Sequence, residues 1–379
     1  MSSKQGGALV FDKANFIINI VILIILFRVC IDSFYSGEKP IVIVLLYTAF
    51  VYFTSLYLLL SAQYAVARYK LILLTLVFIS LAVSLLYTDV PARDHIVEAL
   101  KIFTPIIFLI SATSHPELMK RVSIKFRKYF LLIAFVIVIL GVLKYFVDNN
   151  QYGLGLYDFY KNNPNHVLAQ VILKLSLISL SFGFFAGLFS LALIFFINVR
   201  SALLSYVIST FLYSKKYWKT KNFKNKSYVL GVPIIILAAV FVDFNDLFIR
   251  VVLKGSEGGD FVTRASSGRN AIYMYYIQNV LADFSFYEWF FGAGPIWLSS
   301  TGPELSAHND ILNTIVSYGI LGFLLISCCY YYYYRSMRLE SKSLFFASFT
   351  VLFLTNGVLF HQSNILFVLL YYYWGRSEK

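Results

Sequence analysis

Charged residues are scarce in this chain. Asp, Glu, Lys and Arg make up only 13% of its 379 residues, whereas 59% are hydrophobic. Soluble globular domains average about 25% charged and about 45–50% apolar residues. A chain this apolar has too few polar residues to cover the surface of a water-soluble globule. The composition therefore predicts an all-α polytopic membrane protein, with one membrane domain over residues 1–379.

Motifs that mark several other chemistries are missing. The sequence contains neither G-x-x-x-x-G-K-[ST] nor G-x-G-x-x-G, so no nucleotide cradle is predicted. It has no D-x-D, no H-E-x-x-H and no cluster of Cys and His, so we expect no metal and no cofactor. Cys30, Cys328 and Cys329 lie in apolar runs and lack the spacing of a disulfide framework or a metal site. The net charge of +13 comes from basic residues in short loops between apolar runs, which favours membrane topology over nucleic-acid binding.

The apolar runs predict about twelve transmembrane helices, some of them short. A spanning helix needs about 20 apolar residues. The runs cover 15–31, 40–61, 69–87, 96–111, 129–147, 165–181, 184–199, 201–213, 228–243, 309–334, 343–360 and 363–375. An even number places both termini on the same side of the membrane. Lys and Arg clusters in 120–128, 215–226 and 335–342 make that side the cytoplasm under the positive-inside rule.

This topology leaves one long segment, 244–308, on the outer face. Within it, the stretch SSGRNAIYMYYIQNVLADF is typical of a helix, because Ser266 and Ser267 are N-cap candidates and apolar residues follow at helical spacing. The FGAGP stretch, 291–295, predicts a turn, because two glycines and a proline interrupt a helix. The segment is therefore expected to be a partly helical loop.

Three arginines on the outer face are candidate functional residues. Arg200 lies in the tight turn NVRSALL, where an arginine either has a function or extends to lipid headgroups. Arg269 follows Gly268 at the start of the predicted loop helix, where free N–H groups and a guanidinium together suit phosphate oxygens. The alternative for Arg269 is a solvated side chain on a capped helix. Arg264 is a weaker member of the same basic patch.

A polar cluster stands where the long loop re-enters the membrane. His308 has a side chain whose ordinary pKa suits a general base near neutrality, although a histidine at this position can also be purely structural. Asn309 is a candidate substrate contact, and Asp310 is a candidate catalytic residue that can equally favour the helix dipole. Asn165, in NNPNH, and Lys101, near the outer end of its span, are further candidate substrate contacts.

These pieces, taken in order, resemble the O-antigen polymerase and O-antigen ligase family of bacterial inner-membrane glycosyltransferases. The matching stretches are NNPNH, NVRSALL, SSGRN, FGAGP and AHNDILNTIVSYGILGFLL, which together cover about residues 160–330. The last stretch is similar to the family's His-Asn motif followed by Gly-x-x-Gly, here Gly319 and Gly322. The family often has Ser before the arginine of the tight turn, whereas this chain has Val199.

The resemblance implies a membrane glycosyltransferase (GT-C-like) architecture and a periplasmic active site, to which the 244–308 loop contributes. It implies a polyprenyl (undecaprenyl) pyrophosphate-linked oligosaccharide as donor, with Arg200, Arg269 and Arg264 binding the pyrophosphate and His308 activating the acceptor. Membrane lipids are expected partners, and a chain-length regulator protein is a further partner that the resemblance allows. No nucleic acid is expected.

The acceptor distinguishes the possible activities within the resemblance. A polymerase transfers the glycan to another lipid-linked repeat unit, and this chain, of 379 residues and rich in Tyr, Phe, Ile and Lys, looks more like a polymerase of an O-antigen or capsule cluster. A ligase transfers the glycan to lipid A core. A flippase of lipid-linked sugars is the alternative outside this class, and it should have a charged cavity open to both faces of the membrane.

Overall fold

A computed structural model describes residues 3–35, 39–180, 184–197, 199–215, 269–299, 307, 309–355 and 358–371. All regular structure within these ranges is helical. The α-helices are α1 (Ser3–Phe34), α2 (Ile41–Leu60), α3 (Tyr64–Val83), α4 (Ala92–Ala112), α5 (Pro116–Lys125), α6 (Leu131–Asn149), α7 (Leu156–Asn162), α8 (His166–Ser179), α9 (Phe184–Ile197), α10 (Arg200–Lys215), α11 (Arg269–Tyr275), α12 (Phe286–Phe291), α13 (Asp310–Ser336) and α14 (Leu339–Thr355).

Short segments of tighter or wider helix extend or connect these elements. The 3₁₀ segments are Ser84–Tyr87, Leu281–Asp283, Ile296–Leu298 and Gln362–Leu370, and the π segments are Phe126–Phe130 and Tyr276–Val280. The Phe126–Phe130 turn joins α5 to α6, so that Pro116–Asn149 forms one long apolar helical segment. Proline starts α5, because its missing N–H costs nothing in the first turn of a helix.

Six helical segments of the described ranges are long and apolar enough to cross a membrane. They are Lys13–Phe34, Ile41–Leu60, Ala67–Tyr87, Ala92–Ala112, Pro116–Asn149 and Asp310–Ser336. Each contains or overlaps a run that the sequence predicts as a span. His166–Ser179, Ser201–Leu212 and Ser341–Leu354 are apolar helices below that length. The helical membrane-protein class is therefore supported, while the count of twelve stays a prediction; the 228–243 run lies outside the described residues.

The outer surface of these helices is apolar as well as their interior. Phe53 on α2 is 74% exposed and Leu132 on α6 is 76% exposed, while α1 buries Val21, Ile24 and Ile25 completely. Large apolar side chains exposed along several helices would aggregate in water but suit contact with lipid tails. The described bundle thus has the surface of a protein embedded in a membrane.

In its described part, the last predicted run, 363–375, is not the long spanning helix that the sequence predicts. Its described part, up to Tyr371, is the 3₁₀ helix Gln362–Leu370, and all nine of its residues are buried. At about 2.0 Å rise per residue this segment is shorter than the hydrocarbon core of a bilayer. It packs against α4 and α8 inside the protein. An apolar run can be buried by protein as well as by lipid, and here protein covers it.

One end of the bundle collects the polar groups of several helices. It contains the end of α1, the starts of α2, α4 and α8, and the segment 358–363; we call it the cavity end. Helix α13 also begins there, because Asp310 hydrogen-bonds the backbone of Val358 and Leu359. Helices α8, α9 and α10 follow one another through short connections and pack side by side, so α10 also begins at this end.

Candidate functional site

A cavity of about 390 Å³ lies at the cavity end, between α1, α2, α4, α8 and the segment 360–363. Its volume falls within the range of small-ligand pockets. Four cationic side chains and two carboxylates line it, together with a histidine, a glutamine and a serine. These residues are Arg28, Lys39, Arg93, Lys101, Asp32, Asp94, His361, Gln362 and Ser363.

A buried ion triad forms one wall of this cavity. Arg28 donates from Nε to Asp32 Oδ2 at 2.7 Å and from Nη2 to Asp32 Oδ1, so the pair is bidentate. Lys39 donates to the same Asp32 Oδ1. Arg28 and Asp32 lie one helical turn apart on α1, which places both side chains on one face. Two cations therefore share one carboxylate, and the triad keeps one excess positive charge.

The segment after α14 supplies the facing wall. Arg28 Nη1 donates to Gln362 Oε1, which ties this segment to α1 across 334 residues of sequence. Gln362 is 5% exposed, and its Nε2 has no hydrogen-bond partner within the described residues. A buried amide donor without an acceptor costs about 1–3 kcal/mol. The cavity therefore contains a donor group that lacks an acceptor.

Lys174 lies behind this wall in the interior of the bundle. Its ammonium donates to Gln170 Oε1 at 3.1 Å and to Ser363 Oγ at 2.7 Å, and it lies 5.1 Å from the ring centroid of Phe367. Lys174 is 1% exposed and forms no ion pair with a carboxylate of the described residues. Ser363 lines the cavity, so its hydroxyl connects this buried charge to the cavity surface.

Two groups that line the cavity and lie outside the spanning segments, Lys39 and His361, have shifted pKa values. Burial lowers the pKa of Lys39, although the ion pair with Asp32 opposes the shift. Burial, together with the positive charge of Lys174, lowers the pKa of His361 to about 3. His361 is therefore neutral near pH 7 and offers hydrogen bonding but no charge.

The mouth of the cavity is formed by the first turns of α4. Lys101 donates to Glu98 Oε1 one turn earlier on the same helix, and Lys101 lines the cavity. Its role as a substrate contact stays a prediction. Arg93 is exposed and makes no hydrogen bond or ion pair within the described residues. Its guanidinium is thus free to bind an anion that enters from this side.

The start of α13 is fixed by the two polar residues that the sequence singles out there. Asn309 caps the helix, accepting hydrogen bonds from the N–H groups of Ile311 at 2.9 Å and Leu312 at 3.3 Å. Asp310 is fully buried and accepts from the N–H groups of Val358 at 2.5 Å and Leu359 at 2.9 Å. Asp310 therefore holds the backbone that leads into the cavity segment. His308 lies outside the described residues.

The FGAGP stretch forms the turn that the sequence predicts and packs into a kink of α13. Gly319 is non-helical, with φ of 64°, so the carbonyls of Val316 and Ser317 lose their helical partners. Ala293 and Gly294 donate to these carbonyls at 2.8 and 3.1 Å. A side chain at Gly319 would overlap the Phe290 backbone, so glycine is required at the kink.

The predicted loop helix packs beside the start of α13. It is confirmed from Arg269 onward, as α11 and the helical segments that follow it. Ile272 and Tyr273 of α11 share a small apolar cluster with Leu312 and Ile315 of α13. The helix that starts with Arg269 and the helix that follows His308 therefore contribute side chains to the same apolar cluster.

The region around α11 and the start of α13 also contacts the wall of the cavity. The rings of Trp297 and Phe360 meet edge-on at 5.7 Å between centroids, and Phe360 lines the cavity. The bonds from Asp310 to Val358 and Leu359 make a second connection. The α11–α13 pair and the cationic cavity thus adjoin through the segment 358–361.

The remaining predicted residues lie as follows. Asn165 caps α8, accepting from the Leu168 N–H at 3.1 Å, and is 6% exposed. Of Arg200 and Arg269 the structure describes the backbone, and each is the first residue of its helix, α10 and α11 respectively. Arg264 lies outside the described residues.

The sequence does not single out Arg28, Asp32, Lys39, Arg93 or Gln362. A charged pair one turn apart inside an apolar run was a usable signal for Arg28 and Asp32, since charges in spans are costly and functional by default. No local signal marks the others, because only tertiary packing brings them to one cavity.

Comparisons of this chain with protein-family models, with curated proteins and with solved structures find no match.

Proposed function

We propose that this chain is a metal-independent membrane glycosyltransferase that polymerises O-antigen or capsule repeat units. It transfers a growing glycan from polyprenyl (undecaprenyl) pyrophosphate to a hydroxyl of another lipid-linked repeat unit. We further propose that it resides in the bacterial inner membrane and that its active site faces the periplasm. The proposal includes a GT-C-like architecture with about twelve transmembrane helices.

One observation carries the proposal: α11, which begins with Arg269, shares an apolar cluster with the start of α13, which follows His308, and Trp297 and Asp310 connect this region to the wall of a cationic cavity. Helix α10, which begins with Arg200, starts at the same end of the bundle. The residues that the family resemblance assigns to donor and acceptor therefore belong to elements that converge. Random apolar packing gives no reason for cationic groups to collect there.

The chemistry follows from these groups. The acceptor oxygen attacks the anomeric carbon, and the bond from that carbon to the pyrophosphate oxygen breaks, leaving its electron pair on the pyrophosphate. In this proposal Arg200, Arg269 and Arg264 bind the leaving group, whose added negative charge guanidinium groups stabilise by bidentate hydrogen bonds. His308 accepts the proton that the acceptor hydroxyl loses.

The charge distribution favours transfer over transport. A flippase should have a charged cavity open to both membrane faces, whereas the charged cavity of the described residues lies at one end of the bundle. Two further cavities among the described residues are apolar in most of their lining; Phe323, Tyr330, Phe349 and Phe353 line one of them. An apolar groove between α13 and α14 suits a lipid tail rather than a polar cargo.

The test is a defined reaction. Purified full-length protein in nanodiscs is incubated with a synthetic polyprenyl-pyrophosphate repeat unit, and glycan length is measured on a gel. A ladder from the repeat unit alone supports a polymerase. Product that forms only when lipid A core is added would establish the ligase alternative. Absence of any new glycosidic bond with either acceptor would overturn the proposal.

A further inference from the structure

The cationic cavity carries more positive charge than its carboxylates balance. Arg28 and Lys39 share the single carboxylate of Asp32, while Lys174 bonds only to the neutral groups of Gln170 and Ser363. Uncompensated charge in a buried site of low dielectric is energetically unfavourable. A bound anion would offset that cost.

Hydrogen-bond donors face the same space without acceptors. Gln362 Nε2 is buried and has no partner within the described residues. Ser363 Oγ accepts from Lys174 and keeps its own hydrogen to donate. Arg93 at the mouth adds a guanidinium that no described group engages. The lining also has the carboxylates of Asp32 and Asp94, but its cationic groups outnumber them. Clustered donors with excess positive charge match an oxyanion with several oxygens, which is the property of a phosphate group.

The cavity also has an apolar side. Ile41, Val44 and Leu45 of α2 line it, and Ile41 and Leu45 are 43% and 52% exposed. An anion entering from water would not need this wall. A ligand that combines a phosphate with a hydrocarbon chain satisfies both sides of the cavity.

From these contacts we infer that the cavity between α1, α2, α4 and the segment 360–363 binds the phosphate group of a polyprenyl-phosphate lipid. Arg28, Lys39, Arg93 and Gln362 bind the phosphate oxygens, and α2 contacts the first part of the hydrocarbon chain. This site uses residues different from Arg200, Arg264 and Arg269. Only the choice of a polyprenyl chain rests on the proposed function; the phosphate site rests on charge and donors.

The test uses a photo-crosslinkable polyprenyl monophosphate with a diazirine in its first isoprene unit. Full-length protein in phosphatidylcholine nanodiscs is illuminated with the probe, and crosslinked peptides are mapped by mass spectrometry. Crosslinks are expected within Ile41–Leu45. Mapping them separates this site from any binding near Arg269.

Two variants and one control decide the result. Gln362→Glu keeps the Oε1 acceptor for Arg28 but adds negative charge, and it should reduce crosslinking to α2 at least tenfold. Arg93→Gln alters an exposed, unpartnered side chain, so folding is retained and crosslinking should fall several-fold. Lys144→Gln removes a basic charge that pairs with Asp148 elsewhere on the surface, and it should change nothing.

Contrary results are equally definite. Unchanged crosslinking in both Arg93→Gln and Gln362→Glu, or wild-type protein without crosslinks in α2, would overturn the site. Competition by inorganic pyrophosphate at concentrations equal to the lipid would show a site for free phosphate and overturn the lipid assignment. The protein could also crosslink in a way that depends on Gln362 and yet fail to lengthen a glycan. That result would support the phosphate site and overturn the proposed function.

Discussion

At the scale of single residues, the proposed reaction depends most on His308. As the general base, His308 must be neutral to accept the acceptor's proton, so activity should fall below about pH 6.5, the ordinary pKa of histidine. His308→Ala should lose turnover but still bind the lipid-linked donor. The measurement is turnover per folded molecule with saturating donor. Near-normal turnover for His308→Ala would remove this residue from the mechanism and direct attention to Asp310.

Asp310 has a structural role that any test of its chemistry must separate. Its carboxylate accepts two backbone N–H groups that hold the segment leading into the cavity. Asp310→Asn removes the charge and presents a donor beside those N–H groups, so we expect a loss of about 1–3 kcal/mol in stability. The measurement is thermal unfolding in detergent alongside turnover per folded molecule.

Asn309→Asp is the matched control for this variant, because aspartate caps a helix as well as asparagine does. It should unfold at nearly the wild-type temperature. An Asp310→Asn protein with wild-type stability and no turnover would contradict a purely structural role and assign Asp310 to the reaction.

At the scale of elements, the kink of α13 and the turn that fills it form one unit. Gly319 and Gly153 both have φ near 60°, but only Gly319 would place a side chain against a neighbouring backbone, that of Phe290. Gly153→Ala should cost about 1–2 kcal/mol from backbone strain alone. Gly319→Ala should cost clearly more and displace α12. Equal unfolding temperatures of the two variants would show that the close packing at the kink is not needed.

Sequence patterns predict the long elements well and the short buried ones poorly. Runs such as 40–61 and 96–111 coincide with α2 and α4, because about 20 uninterrupted apolar residues suit a spanning helix. The loop helix from Arg269 and the 291–295 turn are also confirmed, since caps, glycines and proline act locally. The 363–375 run does not reveal whether it spans the membrane, because a segment buried in protein and a segment buried in lipid are both rich in apolar residues.

The sequence does not predict the cavity, because residues far apart in the chain form it. Arg28 and Gln362 are in contact although 334 positions separate them, and no local pattern encodes such a contact. Lys101 was the exception, because a charge near the end of an apolar run is unusual by itself. Tertiary packing alone joins these residues into one site.

At the scale of the whole molecule, the orientation in the membrane is the first requirement. The Lys and Arg asymmetry predicts that residues 215–226 are cytoplasmic and that 250–305 are periplasmic. Single cysteines at Lys221 and Glu257, in a background without Cys30, Cys328 and Cys329, are probed on intact cells with an impermeant thiol reagent. Position 257 should be labelled and position 221 protected. Labelling of position 221 from outside would reverse the orientation and the mechanism with it.

The central claim is that guanidinium groups stabilise a polyprenyl pyrophosphate leaving group during glycan transfer. Its most direct test measures released polyprenyl pyrophosphate and new glycosidic bonds in the same reaction by mass spectrometry. Wild-type protein and the control Lys144→Gln should release one polyprenyl pyrophosphate per bond formed. Arg200→Ala and Arg269→Ala should lower both products together by about 10²–10³, and lysine should restore only part of the rate, since it lacks the planar fork. Wild-type rates in both alanine variants, or bond formation without pyrophosphate release, would contradict the account.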